Sequence, residues 1–293
     1  MTNSPLPRIR IVLVEPAGPL NLGSVARVMK NMGLTRLVLV NPHCHPDEDE
    51  ARQMAVHAGD VLESAQMVST LPDALVGCHR AVATTSRERD LLGDSLEHPR
   101  QVLPWLLGDR PATQRASETN PPLDALESAL IFGPEDRGLS NTELSYAQRY
   151  LKIPTSPIYP SMNLAQAVAV CCYEIRQLIL DRQENLTVQL DIPLEDISEE
   201  ISEKVLGDAP GEINVAPPAP IDDLEGFYQH LEETLLRIGY VLPHTAHSRM
   251  KKFRRLFNRA ELSVEEVSML RGILRQVGWA THQKNGTERD ATD

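Results

Sequence analysis

The sequence lacks long apolar segments. It contains no run of about eighteen apolar residues, which is the length that a membrane-spanning helix requires. Residues 1–8 also lack the apolar core of a secretory signal. We therefore expect a cytoplasmic protein that does not contact a membrane. Its 293 residues exceed one average domain and favour a large domain with a smaller appendage.

Cysteine is scarce, and its spacing does not suit a disulfide framework or a zinc site. The four cysteines form no C-x-x-C pair, and the adjacent Cys171 and Cys172 fall in an apolar stretch where small buried thiols are common. The triplet His43-Cys44-His45 contains metal-ligand residue types, but its side chains alternate in direction and no partner cluster is evident. We expect no bound metal.

A general excess of positive charge, the usual mark of nucleic-acid binding, is also missing, since the formal net charge is −12. However, residues 184–212 hold nine acids against the single base Lys204, and this segment alone supplies −8 of the total. Because a local site depends on how charge is distributed, the total does not exclude a polyanionic ligand.

Short apolar runs alternate with helical stretches over the first half of the chain. The runs predict strands over Ile9–Val14, Leu37–Val40, Arg80–Ala83, Ala129–Phe132 and Tyr150–Ile153. The first helix is expected to have Asn21 as its N-cap and Gly33 just past its end. Further helices are expected near 50–58, 99–107 and 141–147. This alternation predicts an α/β fold with a parallel sheet covered on both faces.

The remainder of the chain divides by composition. The strongest helical periodicity runs from Asn163 to Gln183, after which periodicity is lost and a proline-rich stretch follows. A short helix near 196–205 could interrupt that stretch. We therefore predict four segments: a first domain (1–183), an acidic, proline-rich linker (184–220), a small unit of two or three helices (221–281) and a disordered polar tail (282–293).

Three motifs place glycine, serine or asparagine where a strand would pass into a helix, which is where α/β proteins build their sites. They are NLGSVAR at 21–27, IFGPEDRGLS at 131–140 and SMNLAQA at 161–167. Asn21 and Gly23 are expected to let the backbone approach a substrate, with helix amides aimed at an anion. The glycines of the second motif are expected to permit positive φ and to leave room for an adenosine. Turns and helix caps are the plain structural explanation of the same residues.

In order, spacing and flanking apolar runs, these motifs resemble the SpoU (TrmH) branch of the SPOUT methyltransferases, most closely its tRNA (cytidine/uridine-2'-O-)-methyltransferases. The resemblance covers Ile9 to about Asp181 and, more loosely, Leu224 to Gly278. It implies a deep trefoil knot near the end of the catalytic domain and a homodimer whose sites are completed by both subunits. It also implies S-adenosylmethionine as cofactor and a ribose 2'-hydroxyl of tRNA as substrate, at the pyrimidine of position 32 in the anticodon loop.

The resemblance further implies roles for individual residues. Arg27, Ser161 and Asn163 would be catalytic. Because a guanidinium stays protonated, we expect Arg27 to stabilise the developing alkoxide rather than to act as a base. The RNA would contact Asn21, Arg27, Arg87 and Glu135. The cofactor would lie against Thr84, Thr85, Ser86, Gly133, Ile153, Pro160, Ser161 and Met162.

One cationic segment occurs in the predicted helical unit. Residues 249–259 contain six bases and no acid, interleaved with apolar residues. A solvated helix face is the common explanation of such a run, but a basic face on an amphipathic helix also binds polyanions. Residues 254–262 resemble the extension of the same enzyme group, which favours tRNA. The six bases are Arg249, Lys251, Lys252, Arg254, Arg255 and Arg259.

The same residues also bear on three alternative functions. No G-x-G-x-x-G follows the first strand and no acid lies suitably downstream, which argues against a dinucleotide-dependent oxidoreductase. The same chemistry on ribosomal RNA or at another tRNA position stays open. So does a catalytically inactive RNA-binding relative, although the presence of Arg27, Ser161 and Asn163 argues against it. The sequence does not distinguish uridine from cytidine as the target.

Overall fold

The computed structural model describes residues 8–86, 95–109, 126–190 and 216–289. Within these ranges, seven strands form one sheet in the order β3-β2-β1-β6-β4-β7-β5, and every neighbouring pair is parallel. The strands are β1 (Ile9–Val14), β2 (Arg36–Val40), β3 (Gln66–Val68), β4 (Arg80–Thr84), β5 (Leu96–Glu97), β6 (Ser128–Phe132) and β7 (Arg149–Leu151).

Ten α-helices accompany the sheet in the described ranges. They are α1 (Pro19–Asn31), α2 (Asp49–Ala55), α3 (Gly59–Glu63), α4 (Leu71–Leu75), α5 (Pro99–Leu106), α6 (Asn141–Leu144), α7 (Leu164–Leu190), α8 (Ile221–Arg237), α9 (Ala246–Ala260) and α10 (Val264–Arg289). None of the helices searched in these ranges combines the length and the apolar character needed to cross a membrane.

The predicted parallel sheet with two covered faces is confirmed. Successive side chains of a strand point to opposite faces. Ile11 and Leu13 therefore join one core with α1, α2, α5 and α7, whereas Val12 and Val14 join a second core with α4 and α6. All five predicted strands are present within two residues of their expected ends. The short β3 and β5 were not predicted, because two or three residues carry no readable periodicity.

The first helix begins earlier than predicted. Its N-cap is Gly18, so the expectation of Asn21 as N-cap is wrong. Pro19 sits in the first turn, where its fixed φ suits a helix and its missing N–H costs nothing. Asn21 consequently lies inside the first turn. The predicted end is confirmed, because Gly33 follows the C-cap with a φ of 76°.

Gly23 has a packing role. It is buried where α1 crosses α2, and a Cβ placed there would lie 2.2 Å from the carbonyl oxygen of Ala51 and 2.9 Å from the Cβ of Met54. The predicted approach of substrate to this glycine is therefore wrong. The missing side chain instead allows the two helices to touch.

The long helix α7 starts one residue later than predicted and continues to Leu190, into the segment predicted as linker. It buries Leu164, Val168 and Ile175 in the core shared with α1 and α5. The helix predicted near 196–205 lies outside the described residues. The four-segment division and the trefoil knot both stay predictions.

The predicted small helical unit is confirmed as α8, α9 and α10, around a separate core. Phe227 and Phe257 meet edge to face in this core, with ring centroids 5.0 Å apart. Helix α10 extends to Arg289, into the segment predicted as a disordered tail.

This helical unit packs against the amino-terminal edge of the sheet. Arg80, the first residue of β4, is only 2% exposed; it pairs with Glu261 at 3.5 Å and stacks on the Trp105 ring at 4.7 Å. The backbone N–H of Ile221 donates to the carbonyl oxygen of Cys78 at 2.7 Å. These contacts join the helical unit and the sheet at one edge.

The cationic segment forms α9, but one of its charges is not on the surface. Arg254 donates two hydrogen bonds to Glu225, with its guanidinium 4.4 Å from the Tyr228 ring centroid. Arg254 therefore joins α9 to α8, and its place in the predicted basic face is wrong. Lys251 is partly buried, and the exposed cations of the helix are Arg249, Lys252, Arg255 and Arg259.

We expect Gly23→Ala to lower the free energy of unfolding by about 1–3 kcal/mol, because the added methyl overlaps the backbone of α2. Urea denaturation measures this change. Gly59→Ala is the matched control, since nothing lies within 4 Å of a Cβ there. The control should leave stability unchanged or raise it by up to about 1 kcal/mol. Equal effects of the two substitutions would contradict the packing role.

Candidate active site

The three motifs meet at one edge of the sheet. They follow β1, β6 and β7, and the segment from Thr84 to Ser86 follows β4. These four strands are neighbours in the order β1-β6-β4-β7 and run parallel, so their carboxyl ends share an edge. This is the edge at which open α/β sheets bind ligands.

Three polar side chains, one from each motif, form a continuous hydrogen-bonded chain. The Nδ2 of Asn163 donates to the Oδ1 of Asn21 at 3.0 Å, and the Nδ2 of Asn21 donates to the Oε1 of Glu135 at 3.0 Å. The other carboxylate oxygen of Glu135 accepts from the backbone N–H of Ala17 at 3.3 Å. The structure thus links motifs that lie more than a hundred residues apart.

Asn163 belongs to this hydrogen-bonded chain and also caps the helix that follows it, α7. Its Oδ1 accepts from the backbone N–H groups of Ala165 at 2.9 Å and Gln166 at 3.3 Å, which satisfies two unpaired amides at the start of α7. Its Nδ2 remains available for Asn21. Capping and a place in the site, which the sequence presented as competing explanations, therefore coexist.

The loop after β6 closes on itself. A Cβ on Gly133 would lie 2.4 Å from the backbone nitrogen of Leu139 and 2.5 Å from the carbonyl carbon of Gly138. The loop's own backbone therefore closes the side of Gly133 on which a Cβ would project. The cofactor contact predicted for Gly133 stays a prediction. The predicted positive φ is confirmed at Gly138, where it is 67°.

A second polar cluster lies beside this loop and was missed by the sequence analysis. Arg137 donates to Glu15 at 2.7 Å and to both carboxylate oxygens of Glu143 at 2.9 and 3.0 Å. Hydrogen bonds to Glu143 and Glu15 raise the pKa of Arg137 above its usual value. The Ser140–Glu143 spacing is a readable capping-box signal, whereas nothing local in the sequence pairs Arg137 with Glu15.

The predicted cofactor residues line the same edge. The Thr84 hydroxyl donates to the carbonyl oxygen of Ile131 at 3.0 Å. The backbone N–H of Thr85 donates to the carbonyl oxygen of Leu151, also at 3.0 Å. The carbonyl oxygen of Pro160 accepts from the Thr155 hydroxyl at 3.2 Å. Among the other predicted residues, Ser86 and Ser161 are exposed. Ile153 and Met162 are partly buried. Arg87 lies outside the described residues.

Arg27 is not part of the polar chain. Its side chain is exposed on α1, about one and a half turns beyond Asn21. Toward the described part of this chain it makes no hydrogen bond or ion pair. The structure therefore brings together Asn21, Glu135 and Asn163, but not the predicted catalytic Arg27.

Cys44 lies near the site and remains a protonated thiol. Its sulfur donates to the carbonyl oxygen of Pro16 at 3.4 Å. Burial, followed by the charges of Glu48 and Glu135, raises the pKa of Cys44 to about 11. Across the described ranges, no group of three or more histidine, cysteine or acidic side chains is arranged to hold a metal ion.

Comparison with known proteins shows the family of the chain. Residues 8–173 match the model of the SpoU rRNA Methylase family, and residues 222–288 match the C-terminal domain of the tRNA methyltransferase TrmJ. The chain belongs to the SpoU methylase family. Within this family it falls in the TrmJ group, because similarity to TrmJ proteins extends over most of its length.

Two relatives and one solved structure illustrate that similarity. The tRNA (cytidine/uridine-2'-O-)-methyltransferase TrmJ of Pectobacterium atrosepticum is 41% identical over 273 residues, which is 93% of this chain and 97% of that protein. The TrmJ of Citrobacter koseri is 40% identical over 275 residues, again 93% and 97% of the two chains. The crystal structure of TrmJ from Z. mobilis ZM4 has a TM-score of 0.66 at 26% identity, covering 94% of this chain and 100% of that one.

SpoU methylases use S-adenosylmethionine, and the residues at this edge fit that group. The loops after three adjacent strands, β6, β4 and β7, present main-chain amides and carbonyls together with the hydroxyls of Thr85 and Ser86. The partly buried Ile153 and Met162 add apolar surface suited to an adenine.

We expect Asn21→Asp to disrupt the polar chain, because it removes the donor to Glu135 and sets two carboxylates against each other. The loss in unfolding free energy should be about 1 kcal/mol. Adding Glu135→Gln supplies a new amide donor and should recover most of that loss. Urea denaturation of the two single variants and the double variant gives the coupling free energy. Additive effects would show that the two side chains do not interact in solution.

Proposed function

We propose that this protein transfers the methyl group of S-adenosylmethionine to the ribose 2'-hydroxyl of the pyrimidine at position 32 of tRNA, acting as a cytoplasmic homodimer. The observation that carries the proposal is the similarity to TrmJ tRNA (cytidine/uridine-2'-O-)-methyltransferases over 93% of the chain. It spans both the sheet with its polar chain and the helical unit.

The reaction asks the protein mainly to orient the ribose and to stabilise charge. The cofactor supplies an electrophilic methyl group on a good leaving group. The 2'-hydroxyl gives up its proton reluctantly, so a cation beside the developing alkoxide lowers the barrier. Arg27 supports this role, since it is exposed and pairs with no group in the described part of the chain.

The polar chain supports positioning more than proton transfer. Glu135 accepts hydrogen bonds from Asn21 and from the amide of Ala17, so each of its carboxylate oxygens already holds a neighbouring segment in place. Asn163 is held by Asn21 and by the amides of α7. Ser161, exposed two residues before Asn163, adds a hydroxyl for the ribose or the cofactor.

A second copy of the chain would complete the site. Apolar side chains are exposed at the same edge of the sheet and along α7: Leu20 at 50%, Tyr159 at 76% and Tyr173 at 47%. Leu20 lies on α1, the helix that also carries Arg27. A homodimer that covers these apolar groups would bring Arg27 of one subunit toward the cofactor loops of the other.

Helix α9 would contact a part of the tRNA remote from the methylated ribose. Its exposed cations, Arg249, Lys252, Arg255 and Arg259, lie on the unit that packs at the amino-terminal edge of the sheet, whereas the polar chain lies at the carboxyl edge. A tRNA is long enough to reach both edges. The cations would contribute phosphate contacts, which set affinity rather than the choice of nucleotide.

Methyl transfer from labelled S-adenosylmethionine to total unmodified tRNA, followed by mapping of 2'-O-methylated nucleotides, tests the proposal. We expect a single modified pyrimidine at position 32. A product elsewhere in tRNA or in ribosomal RNA would keep the chemistry and refute the position. Cofactor binding without methylation of any RNA would refute the activity and leave an inactive RNA-binding relative.

We expect Arg27→Ala to lower kcat by roughly 10²–10³-fold while cofactor affinity stays unchanged, because one charge that stabilises the alkoxide is removed. Arg27→Lys keeps the charge and should retain part of the rate. Single-turnover methylation and calorimetric titration with S-adenosylmethionine measure the two quantities. A near wild-type rate for Arg27→Ala would refute the assignment.

Mixing two inactive variants serves as the control for a shared site. If Arg27 of one subunit acts with Asn163 of the other, a heterodimer of Arg27→Ala and Asn163→Ala contains one intact site and regains activity. If both residues act within one subunit, each site carries one substitution and the mixture stays inactive. That second result would exclude a site completed across the dimer.

A further inference from the structure

Arg137 joins the loop that carries Glu135 to two neighbouring elements. The guanidinium donates to Glu15 at 2.7 Å, to Glu143 at 2.9 and 3.0 Å, and to the carbonyl oxygen of Gly138 at 3.0 Å. These contacts span the gap between the end of β1 and the first turn of α6. Arg137 lies two residues after Glu135, so these contacts restrain the backbone that carries the carboxylate of the polar chain.

Glu15 is held by the ends of two strands. Its backbone has a φ of 48°, in the left-handed region that is uncommon for residues other than glycine, and Asn41 at the end of β2 has a φ of 43°. The N–H of Glu15 donates to Val40 at 2.8 Å, and the Asn41 side chain donates to the Glu15 carboxylate at 3.4 Å. Such backbone geometry concentrates at functional sites. Here it turns the carboxylate toward Arg137.

Glu143 is held equally firmly by its own helix. Its carboxylate accepts from the N–H of Ser140 at 2.6 Å, and its N–H donates to the Ser140 hydroxyl at 3.3 Å, which is a capping box. Burial alone would raise the pKa of Glu143, but the hydrogen bonds from Arg137 and Ser140 lower it. Arg137 therefore lies between two carboxylates that are each fixed independently of it.

We infer that Glu15, Arg137 and Glu143 form a clamp that positions Glu135, and that Arg137 is a positioning residue for methyl transfer. The inference rests on the proposed function and assigns these three residues to it. Through Glu135 the clamp acts on Asn21, and through Asn21 on Asn163 at the start of α7. One guanidinium thus sets the relative positions of all three motifs.

The fold does not depend on this clamp. Leu139, at the end of the same loop, is buried in the core beneath the sheet, and the N–H of Gly138 donates to Pro134 at 2.9 Å. Removing the guanidinium leaves these anchors in place. We therefore expect Arg137→Ala to release the position of Glu135 while the protein stays folded.

The test compares Arg137→Ala with Arg36→Ala. Arg36 pairs with Glu127 at 2.7 Å at the opposite edge of the sheet, and its side chain is 45% exposed against 38% for Arg137. Arg36→Ala removes one partly exposed ion pair, and Arg137→Ala removes the two partly exposed ion pairs of the clamp. We expect Arg137→Ala to lower kcat roughly 10- to 100-fold, because small displacements of positioned groups cost that much. Arg36→Ala should stay within about twofold of wild type.

Rescue by a conservative change separates positioning from general stability. Arg137→Lys keeps the charge but cannot bridge two carboxylates as a guanidinium does, so it should recover only part of kcat. If Arg137→Ala fails to fold, Glu15→Gln replaces it, since it keeps an acceptor of the same size and removes one charge from the clamp. A kcat for Arg137→Ala equal to that of Arg36→Ala would overturn the inference.

Hydrogen exchange of the amides at 133–139 and cofactor affinity provide readouts that do not depend on activity. We expect Arg137→Ala to speed exchange in this loop and Arg36→Ala not to. If the wild-type protein methylates no RNA, the proposed function fails, and these two measurements still decide whether the clamp exists. Unchanged exchange and unchanged affinity would refute it.

Discussion

The site depends on the parallel pairing of four strands that are not consecutive in the chain. β1, β6, β4 and β7 lie side by side, so segments from the beginning, the middle and the end of the catalytic domain emerge at the same edge. The strands of this parallel sheet are buried on both faces, so the loops at their ends are the parts that remain accessible to a substrate. The order of the strands, more than any single residue, determines which motifs can meet.

Meeting at one edge does not by itself fix side chains at hydrogen-bonding distance. Each bond of the polar chain is exposed to solvent and contributes only about 0.5–1.5 kcal/mol net, so isolated bonds would not hold the loops in register. Further contacts of the same residues hold the loops in place. Asn163 caps α7 with its oxygen and reaches Asn21 with its nitrogen. Gly133 closes its loop on Leu139, which removes the freedom that the loop would otherwise have.

Local patterns in the sequence predicted the sheet but not the contacts between its loops. The strands were readable because buried β-branched runs differ from their polar flanks, and Gly33 was readable because a helix end needs positive φ. The start of α1 was misplaced, since Pro19 determines it and Asn21 only resembles a cap. The packing of Gly23 and Gly133 was not predicted, because sequence does not show that another backbone passes within 2.4 Å of the position that a Cβ would take at each. The roles of Arg27 and Ser161 came from family resemblance alone, and no local pattern would have supplied them.

The helical unit adds a second constraint at the opposite edge. Arg80 is buried at the start of β4, and a buried charge that loses its partner costs several kcal/mol, so its pairing with Glu261 ties the unit firmly to the sheet. Arg254 is used in the same way inside the unit, against Glu225 and Tyr228. Two arginines that composition counts as cationic surface are therefore structural, and the remaining cations of α9 are held at a fixed position relative to the polar chain. In a protein of net charge −12, the contact with tRNA proposed for α9 depends on such a fixed local arrangement of cations, because the total charge would repel a polyanion.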